Sequence, residues 1–333
     1  MQLTALCRSA GGWDEVDDVR KILELRRDPR QLVWAEADVS GAAEDDVRDL
    51  AAGFALDELA IDDALNPRQR PKLETYPGHL LVILYELDEV EDQLEQRQVA
   101  AFVGQGFVIA LHHGATRLIR EARRRVAAVE EETPTVDTLL HSLVDATVDD
   151  YEARAEDLED EVEELELQAL AAARAADRDE DSELPSQYRL YTIKQQLSML
   201  RRFALPMGRS IERLEHTGRE ADGEPPEESE LRFRDVEDHL LRLAAQVRSI
   251  DELAGGVLDL TRSMQADTLN VVNKKLSGWA AVIAAPALIV GLYGTNIGLV
   301  PAKMGGWGLL FLAGLCAASS GAIYAVFKRR DWI

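Results

Sequence analysis

The chain has 333 residues, of which 46% are apolar and 29% are charged. This is enough apolar material for a packed core and too much charge for a bundle that lies entirely within a membrane. Residues 1–270 hold 60 of the 61 acidic residues and 31 basic ones, a net charge of −29. Such a region repels nucleic acid, so we exclude that partner, and its field concentrates cations. Solubility is an equally simple interpretation of the acidic excess.

The chain's length allows about two domains. Its two cysteines, Cys7 and Cys316, provide neither a disulfide framework nor a CxxC metal motif. The N-terminus has no apolar run after a basic start, so we predict no signal peptide.

Residues 1–130 mix strand-like and helix-like segments, which predicts an α+β domain. Asp57–Leu65 is helix-like and ends at Asn66-Pro67. Apolar runs predict strands at Gln31–Ala37, His79–Asp88 and Val99–Leu111, the last with a tight turn at residues 104–106.

Residues 131–230 favour a helical hairpin. From Val136 onward the pattern is helical, and Asp149–Ala176 is dense in Glu, Asp, Leu and Ala, as in a long exposed helix. Glu183–His216 is a second helical stretch, with Pro206 as a predicted kink. The polar segment Thr217–Glu230 is predicted to be a loop.

A single long helix is predicted over residues 231–295. No proline occurs between residue 231 and Pro286. At 1.5 Å per residue such a helix is about 100 Å long, which is far more than a globular core needs. We interpret it as a stalk that enters a membrane, and stalks with one polar stripe usually oligomerise.

Two uncharged segments, 276–295 and 307–327, have the length of about 20 residues that crosses a bilayer. Lys274 and Lys275 precede the first segment, and the basic tail 328–333 follows the second. The loop between them, 296–306, has one basic residue, Lys303. The positive-inside rule therefore predicts a cell-membrane protein with both termini in the cytoplasm and this loop outside.

Several motifs resemble those of the CorA-type divalent-cation transporters, in the same order and at similar spacing. They are Arg70–Glu74, Leu143–Tyr151, Arg234–His239, Val257–Leu260 with Asn270, Gly291-Leu-Tyr-Gly-Thr-Asn296, Val300-Pro301 and Phe327–Trp332. The resemblance implies a funnel-shaped homopentamer with the stalk helices around a pore. It also implies regulation by divalent ions bound between subunits.

The outer loop departs from the magnesium branch of that family. Gly294, Thr295 and Asn296 stand where magnesium members have Gly-Met-Asn, and no acid follows Pro301 in the loop. This loop looks more like that of the zinc-transporting (ZntB-like) branch. The resemblance makes these three residues the selectivity loop, in which a ring of Asn296 amides would hydrogen-bond a hydrated ion; the simpler interpretation is an asparagine chosen for turn geometry.

A stripe of polar and small residues along the stalk is the predicted pore lining, with Leu276 as a hydrophobic gate. Its other members are Asp259, Asn270, Asn273, Ser277, Ala280, Ala284, Ala287 and Gly291. Alternatively, Asn270 and Asn273 simply face water before the bilayer begins.

The candidate regulatory ligands are carboxylates, which repel one another unless a cation binds between them. They are Asp235 and Asp238 at the start of the stalk and Asp88, Glu89 and Glu91 at the end of a predicted strand. They are also common as surface residues. His112-His113 has no further zinc ligand at suitable spacing and is interpreted as structural.

Three classes of function remain to be compared. The first is a channel-like transporter of Mg²⁺, Co²⁺, Ni²⁺ or Zn²⁺, and the second is a non-conducting membrane-anchored scaffold or metal sensor. An enzyme is not expected, because we find no Walker A loop, HExxH motif or nucleophile elbow, and no cofactor beyond the divalent cation is predicted. Transport would then be driven by the ion's own electrochemical gradient, with proton coupling as an open alternative.

Overall fold

The computed structural model describes residues 2–9, 12–28, 31–66, 69–90, 93–130, 134–176, 184–221, 227–294, 306–330 and 332. The chain divides into two units. The first contains Met1–Gln168 and Pro185–Gly256, and the second contains Ala169–Leu184 and Val257–Ile333.

The described residues form seven strands and eight helices. The strands are β1 Gln2–Ser9, β2 Gly12–Val16, β3 Val33–Asp38, β4 Lys72–Tyr76, β5 His79–Val90, β6 Gln93–Gly104 and β7 Phe107–His112. The shorter helices are α1 Val19–Arg26, α2 Glu44–Phe54, α3 Glu58–Leu65 and α4 Arg117–Ala127. The longer helices are α5 Val136–Ala176, α6 Gln187–Ala221, α7 Glu227–Gly294 and α8 Gly306–Lys328.

One sheet organises the first unit, with the strand order β2-β1-β3-β7-β6-β5-β4. All neighbouring strands are antiparallel except β3 and β7, which are parallel. Successive residues of a strand point to opposite faces, and every residue from Phe107 to His112 is buried. Helices therefore cover both faces of the sheet at its centre, as the predicted α+β domain requires.

Tyr85 on β5 contacts both helices of the hairpin, α5 and α6, and so connects them to the sheet. Its hydroxyl donates to the side-chain oxygen of Gln98 at 2.8 Å, and its ring centroid lies 4.7 Å from that of Phe203 on α6. Its carbonyl accepts from the buried hydroxyl of Tyr151 on α5 at 2.7 Å. Burial raises the pKa of Tyr85 to about 12, so its hydroxyl remains a donor at neutral pH.

The predicted strands 79–88 and 99–111 and the turn between the last two strands are confirmed. Gly106 adopts φ +80°, which disfavours any residue with a Cβ atom. A Cβ atom on Gly104 would lie 2.3 Å from the ring of Phe107. The two glycines thus permit β6 and β7 to join in a tight hairpin.

The two helices of the hairpin form. α5 runs from Val136, where the helical pattern begins, to Ala176, as predicted. α6 begins at Gln187, and the predicted start at Glu183 lies outside the described residues. Pro185 disfavours helix at the residue before it, and Ser186 accepts a hydrogen bond from the amide of Arg189 at 3.4 Å as a cap. The loop predicted at 217–230 is wrong at residues 217–221 and 227–230, which are helical; 222–226 lie outside the described residues.

The long helix predicted over 231–295 is confirmed as far as Gly294, since α7 runs without interruption through Gly255-Gly256 and Pro286. Residue 295 lies outside the described residues. α7 and α8 are both long and apolar enough to cross a membrane, and only 6% and 0% of their most apolar segments are buried. Side chains this apolar and this exposed require a partner other than water. The structure thus has the two C-terminal candidate membrane helices that the sequence predicts.

Candidate functional site

One face of α7 packs against α8 within the second unit. The hydroxyl of Ser320 donates to the carbonyl of Val282 at 3.2 Å, and Cys316 Sγ lies 3.9 Å from the carbonyl oxygen of Pro286. The rings of Trp279 and Tyr324 lie 6.2 Å apart. These contacts fix which side of α7 is turned towards its neighbouring helix.

The predicted stripe lies on the other side of α7. At about 100° per residue, Asn273, Ala280, Ala284 and Gly291 fall within about 20° of one line, and Val282 falls about 180° from it. All four stripe residues are exposed, and a Cβ atom on Gly291 would meet nothing within 4 Å. A narrow face of small side chains is therefore left open along the apolar part of the helix.

The remaining stripe residues lie at greater angles from that line. Ser277, Ala287 and Asp259 are exposed and lie about 40° away, whereas Asn270 and Leu276 lie about 60° away. Asp259 also lies 3.6 Å from Arg262 in an exposed ion pair.

Leu269 belongs to this face, although the sequence analysis did not select it. It is 63% exposed and lies four residues, about one turn, before Asn273. The same spacing rule that identified the stripe would have identified Leu269. Its apolar side chain lies closer to the stripe than that of Leu276.

The proposed selectivity loop lies largely outside the described residues. Gly294 is the last residue of α7 and is exposed, whereas Thr295 and Asn296 follow beyond the described part of the chain.

The acids at the start of the stalk are accessible. Asp235 is 70% exposed, and its carboxylate lies 3.7 Å from Nε2 of His239 on the next turn. Nδ1 of His239 lies 3.2 Å from the carboxylate of Glu152 on α5. Asp238 is also exposed.

Asp88, the second half of the predicted regulatory site, already has cationic neighbours. Its carboxylate lies 3.4 Å from the guanidinium of Arg97 and 3.9 Å from that of Arg117. The side chains of Glu89 and Glu91 lie outside the described residues. Within the described part of the chain, no group of three or more His, Cys, Asp or Glu residues is arranged to hold a metal ion.

Arg117 on α4 lies close to carboxylates from two other elements, β5 and α5, an arrangement that sequence reasoning missed. Glu86 on β5 is fully buried, and it accepts from the backbone amides of Arg117 and Leu118 at 3.1 and 3.3 Å. Asp150 on α5 accepts from the Arg117 guanidinium at 3.2 Å. Burial raises the pKa of the Asp150 carboxyl, and the charge of Arg117 offsets part of that shift.

His112 supports the structural interpretation of the histidine pair. It is buried, and its Nδ1 lies 2.7 Å from the carbonyl oxygen of Gly114, in the turn that follows β7. His113 is exposed.

Comparison with known proteins identifies the chain's relatives. The chain is 27% identical to the cobalt/magnesium transport protein CorA of Thermotoga maritima over 323 residues. The aligned region covers 95% of this chain and 87% of that protein. Its fold matches the complete structure of the CorA magnesium transporter from Methanocaldococcus jannaschii with a TM-score of 0.79 at 18% identity, over 100% of this chain and 99% of that one. The cytoplasmic domain of ZntB from Vibrio parahaemolyticus matches with a TM-score of 0.54 at 14% identity, over 71% of this chain and 88% of that one.

The structural matches, at these identities, concern the fold alone. The sequence model of the family described as "CorA-like Mg2+ transporter protein" matches residues 30–329, which is most of the chain. The chain therefore belongs to the family of CorA-like Mg²⁺ transporter proteins.

Proposed function

We propose that five copies of this chain form a pore that carries divalent metal cations across the cell membrane. The observation that carries the proposal is the open stripe of small side chains on α7, opposite the face that packs against α8. A stripe of small residues on a membrane helix usually has one of two roles. It allows another helix to approach closely, or it lines a water-filled path. Five stripes facing one axis would line that path.

The pore is polar at Asn273 and apolar one turn earlier at Leu269. A ring of leucine side chains narrows a pore and can close it by excluding water. We therefore propose Leu269, together with Leu276 on the flank of the stripe, as the gate. Asn296, two residues beyond the last residue of α7, would form the outer selectivity ring.

The orientation follows from the basic residues. Lys274 and Lys275 precede the apolar part of α7, and Lys328, Arg329 and Arg330 end or follow α8. Their placement supports a topology with both termini in the cytoplasm.

The cargo proposed first is Mg²⁺ or Co²⁺, because the T. maritima relative is named as a cobalt/magnesium transport protein. Zn²⁺ is the second candidate, since the outer loop lacks acids and carries Gly-Thr-Asn. Uptake of Mg²⁺, Co²⁺, Ni²⁺ and Zn²⁺ into liposomes that contain the purified chain separates these cargoes. If none of these ions enters, the scaffold alternative replaces the transporter.

Cysteine substitution along α7 tests the pore directly. In a chain with Cys7 and Cys316 replaced by serine, we expect Ala284→Cys to lose most metal uptake after treatment with a cationic, membrane-impermeant thiol reagent. The modified side chain would stand in the ion path and repel cations. Val282→Cys is the matched control, since it lies on the face that contacts α8 and should react slowly. Equal inhibition at the two positions would contradict this assignment of the pore face.

A regulatory ion is also proposed, between the stalk acids of one copy and Asp88 of a neighbour. Such an ion must compete with Arg97 and Arg117 for the Asp88 carboxylate, so its affinity should be modest. We expect millimolar Mg²⁺ to slow proteolysis of the wild-type assembly and to have little effect on Asp235→Ala. Glu252→Ala removes an exposed acid from the same helix and should behave as the wild type. Protection that persists in Asp235→Ala would place the ion elsewhere.

A further inference from the structure

A small cleft between α6 and α7 in the first unit differs in charge from the acidic chain around it. Its volume is about 100 Å³, and two buried aliphatic side chains, Leu197 and Val247, form part of its lining. Its polar lining consists of Lys194, Ser198, Arg201, Arg248 and Asp251. Three cations and one carboxylate thus surround this space.

The single acid is neutralised within the cleft. The ammonium group of Lys194 donates to the carboxylate of Asp251 at 2.5 Å and to its backbone carbonyl at 3.1 Å. Arg201 and Arg248 have no ion pair with any residue in the described part of the chain. Two guanidinium groups therefore border the cleft without a counter-charge, although acids far outnumber bases in residues 1–270.

We propose that this cleft binds a tetrahedral oxyanion of the phosphate class. Guanidinium groups offer paired N–H donors that match phosphate oxygens, and the hydroxyl of Ser198 supplies a further donor. A cleft of about 100 Å³ is several times the roughly 10–15 Å³ that a single water needs, which is room for one such group. Chloride and monocarboxylates would engage fewer of these donors.

The net negative charge of the surrounding chain affects how an anion approaches the cleft. The net charge of −29 on residues 1–270 repels anions at long range. This repulsion is largely screened beyond about 8 Å at physiological ionic strength, so an anion seated between Arg201 and Arg248 interacts mainly with them. Millimolar rather than micromolar affinity is expected for a site open to water.

Calorimetric titration of the purified full-length chain in detergent tests the proposal, with inorganic phosphate at constant ionic strength and in the absence of divalent metal. We expect saturable binding in the wild type, at least about tenfold weaker binding in Arg201→Ala and in Arg248→Ala, and none in the double variant. Arg242→Ala is the matched control, because Arg242 is an exposed arginine on the same helix that does not line the cleft. Acetate and chloride should not compete.

A second arm with AMP distinguishes free phosphate from a nucleotide. Tighter binding of AMP than of phosphate, lost in the same variants, would identify a nucleotide phosphate as the ligand, and equal binding would identify phosphate itself. The proposal is overturned if the wild type binds no phosphate, or if the double variant binds as well as the wild type. It is also overturned if the arginine variants change only the oligomeric state, which would make the cleft a contact between copies. Binding is measured without transport, so this result is independent of the proposed pore.

Discussion

Asn296→Ala is expected to reduce divalent-cation uptake into liposomes to the level of empty vesicles. Mg²⁺ holds six waters tightly, and a ring of five amide oxygens can hydrogen-bond the hydrated ion without removing them. In the proposed selectivity ring, alanine would offer no such acceptor. Since the residue lies beyond Gly294, the last residue of α7, we expect the substitution to leave helix packing and assembly unchanged.

Asn296→Gln is the control for this experiment, because it retains the amide and shifts it by one methylene. It should keep part of the uptake, and both variants should have the wild-type mass in detergent. Transport by Asn296→Ala at the wild-type rate would remove the basis for a selectivity ring and favour the scaffold alternative.

The second large effect concerns stability rather than transport. Glu86→Ala should destabilise the first unit by about 3 kcal/mol, because leaving a buried donor without its acceptor costs about 1–3 kcal/mol and two amides are affected. The substitution leaves the amides of Arg117 and Leu118 at the start of α4 without their acceptor, and it leaves Arg117 with fewer anions. Amide hydrogen exchange in α4 and β5 of the detergent-solubilised chain should accelerate by more than about 100-fold.

Two variants make this result specific. Glu86→Gln keeps an acceptor for one amide and should cost about 1–3 kcal/mol. Glu95→Ala removes an exposed acid from the neighbouring strand β6, and it should change stability by no more than about 0.5 kcal/mol. If Glu86→Ala exchanges as slowly as Glu95→Ala, the buried carboxylate does not hold α4 in place.

Local patterns predicted the long elements, because their signals are continuous along the chain. The absence of proline between residue 231 and Pro286 predicted α7, and the apolar run at residues 79–88 predicted β5. The hairpin of β1 and β2 has no comparable run, since β2 reads Gly-Trp-Asp-Glu-Val and two of its five residues are acidic. Such a short segment becomes a strand through its neighbours in the sheet, where β1 is itself paired with β3.

A candidate site could be predicted from the sequence only where all of its residues lie on one helix. The stripe on α7 follows from the helical period, and the structure adds which face of the helix meets α8. By contrast, Glu86, Arg117 and Asp150 come from β5, α4 and α5, and only the tertiary fold brings them together. The arginines beside Asp88 were missed for the same reason, since an ion pair across elements leaves no periodic signal.

The strand order of the sheet has a consequence for the behaviour of many copies at high concentration. The two outermost strands, β2 and β4, are five residues long, and each carries charged side chains, including Asp14 and Glu15 on β2 and Lys72 and Glu74 on β4. Long, flat and apolar sheet edges recruit strands of other molecules and seed aggregation, whereas short charged ones resist it. In the two longest strands, residues 79–83 of β5 and 99–104 of β6 are paired on both sides in the interior of the sheet. Crowded copies of this chain should therefore stay free of strand-to-strand aggregation at these two edges.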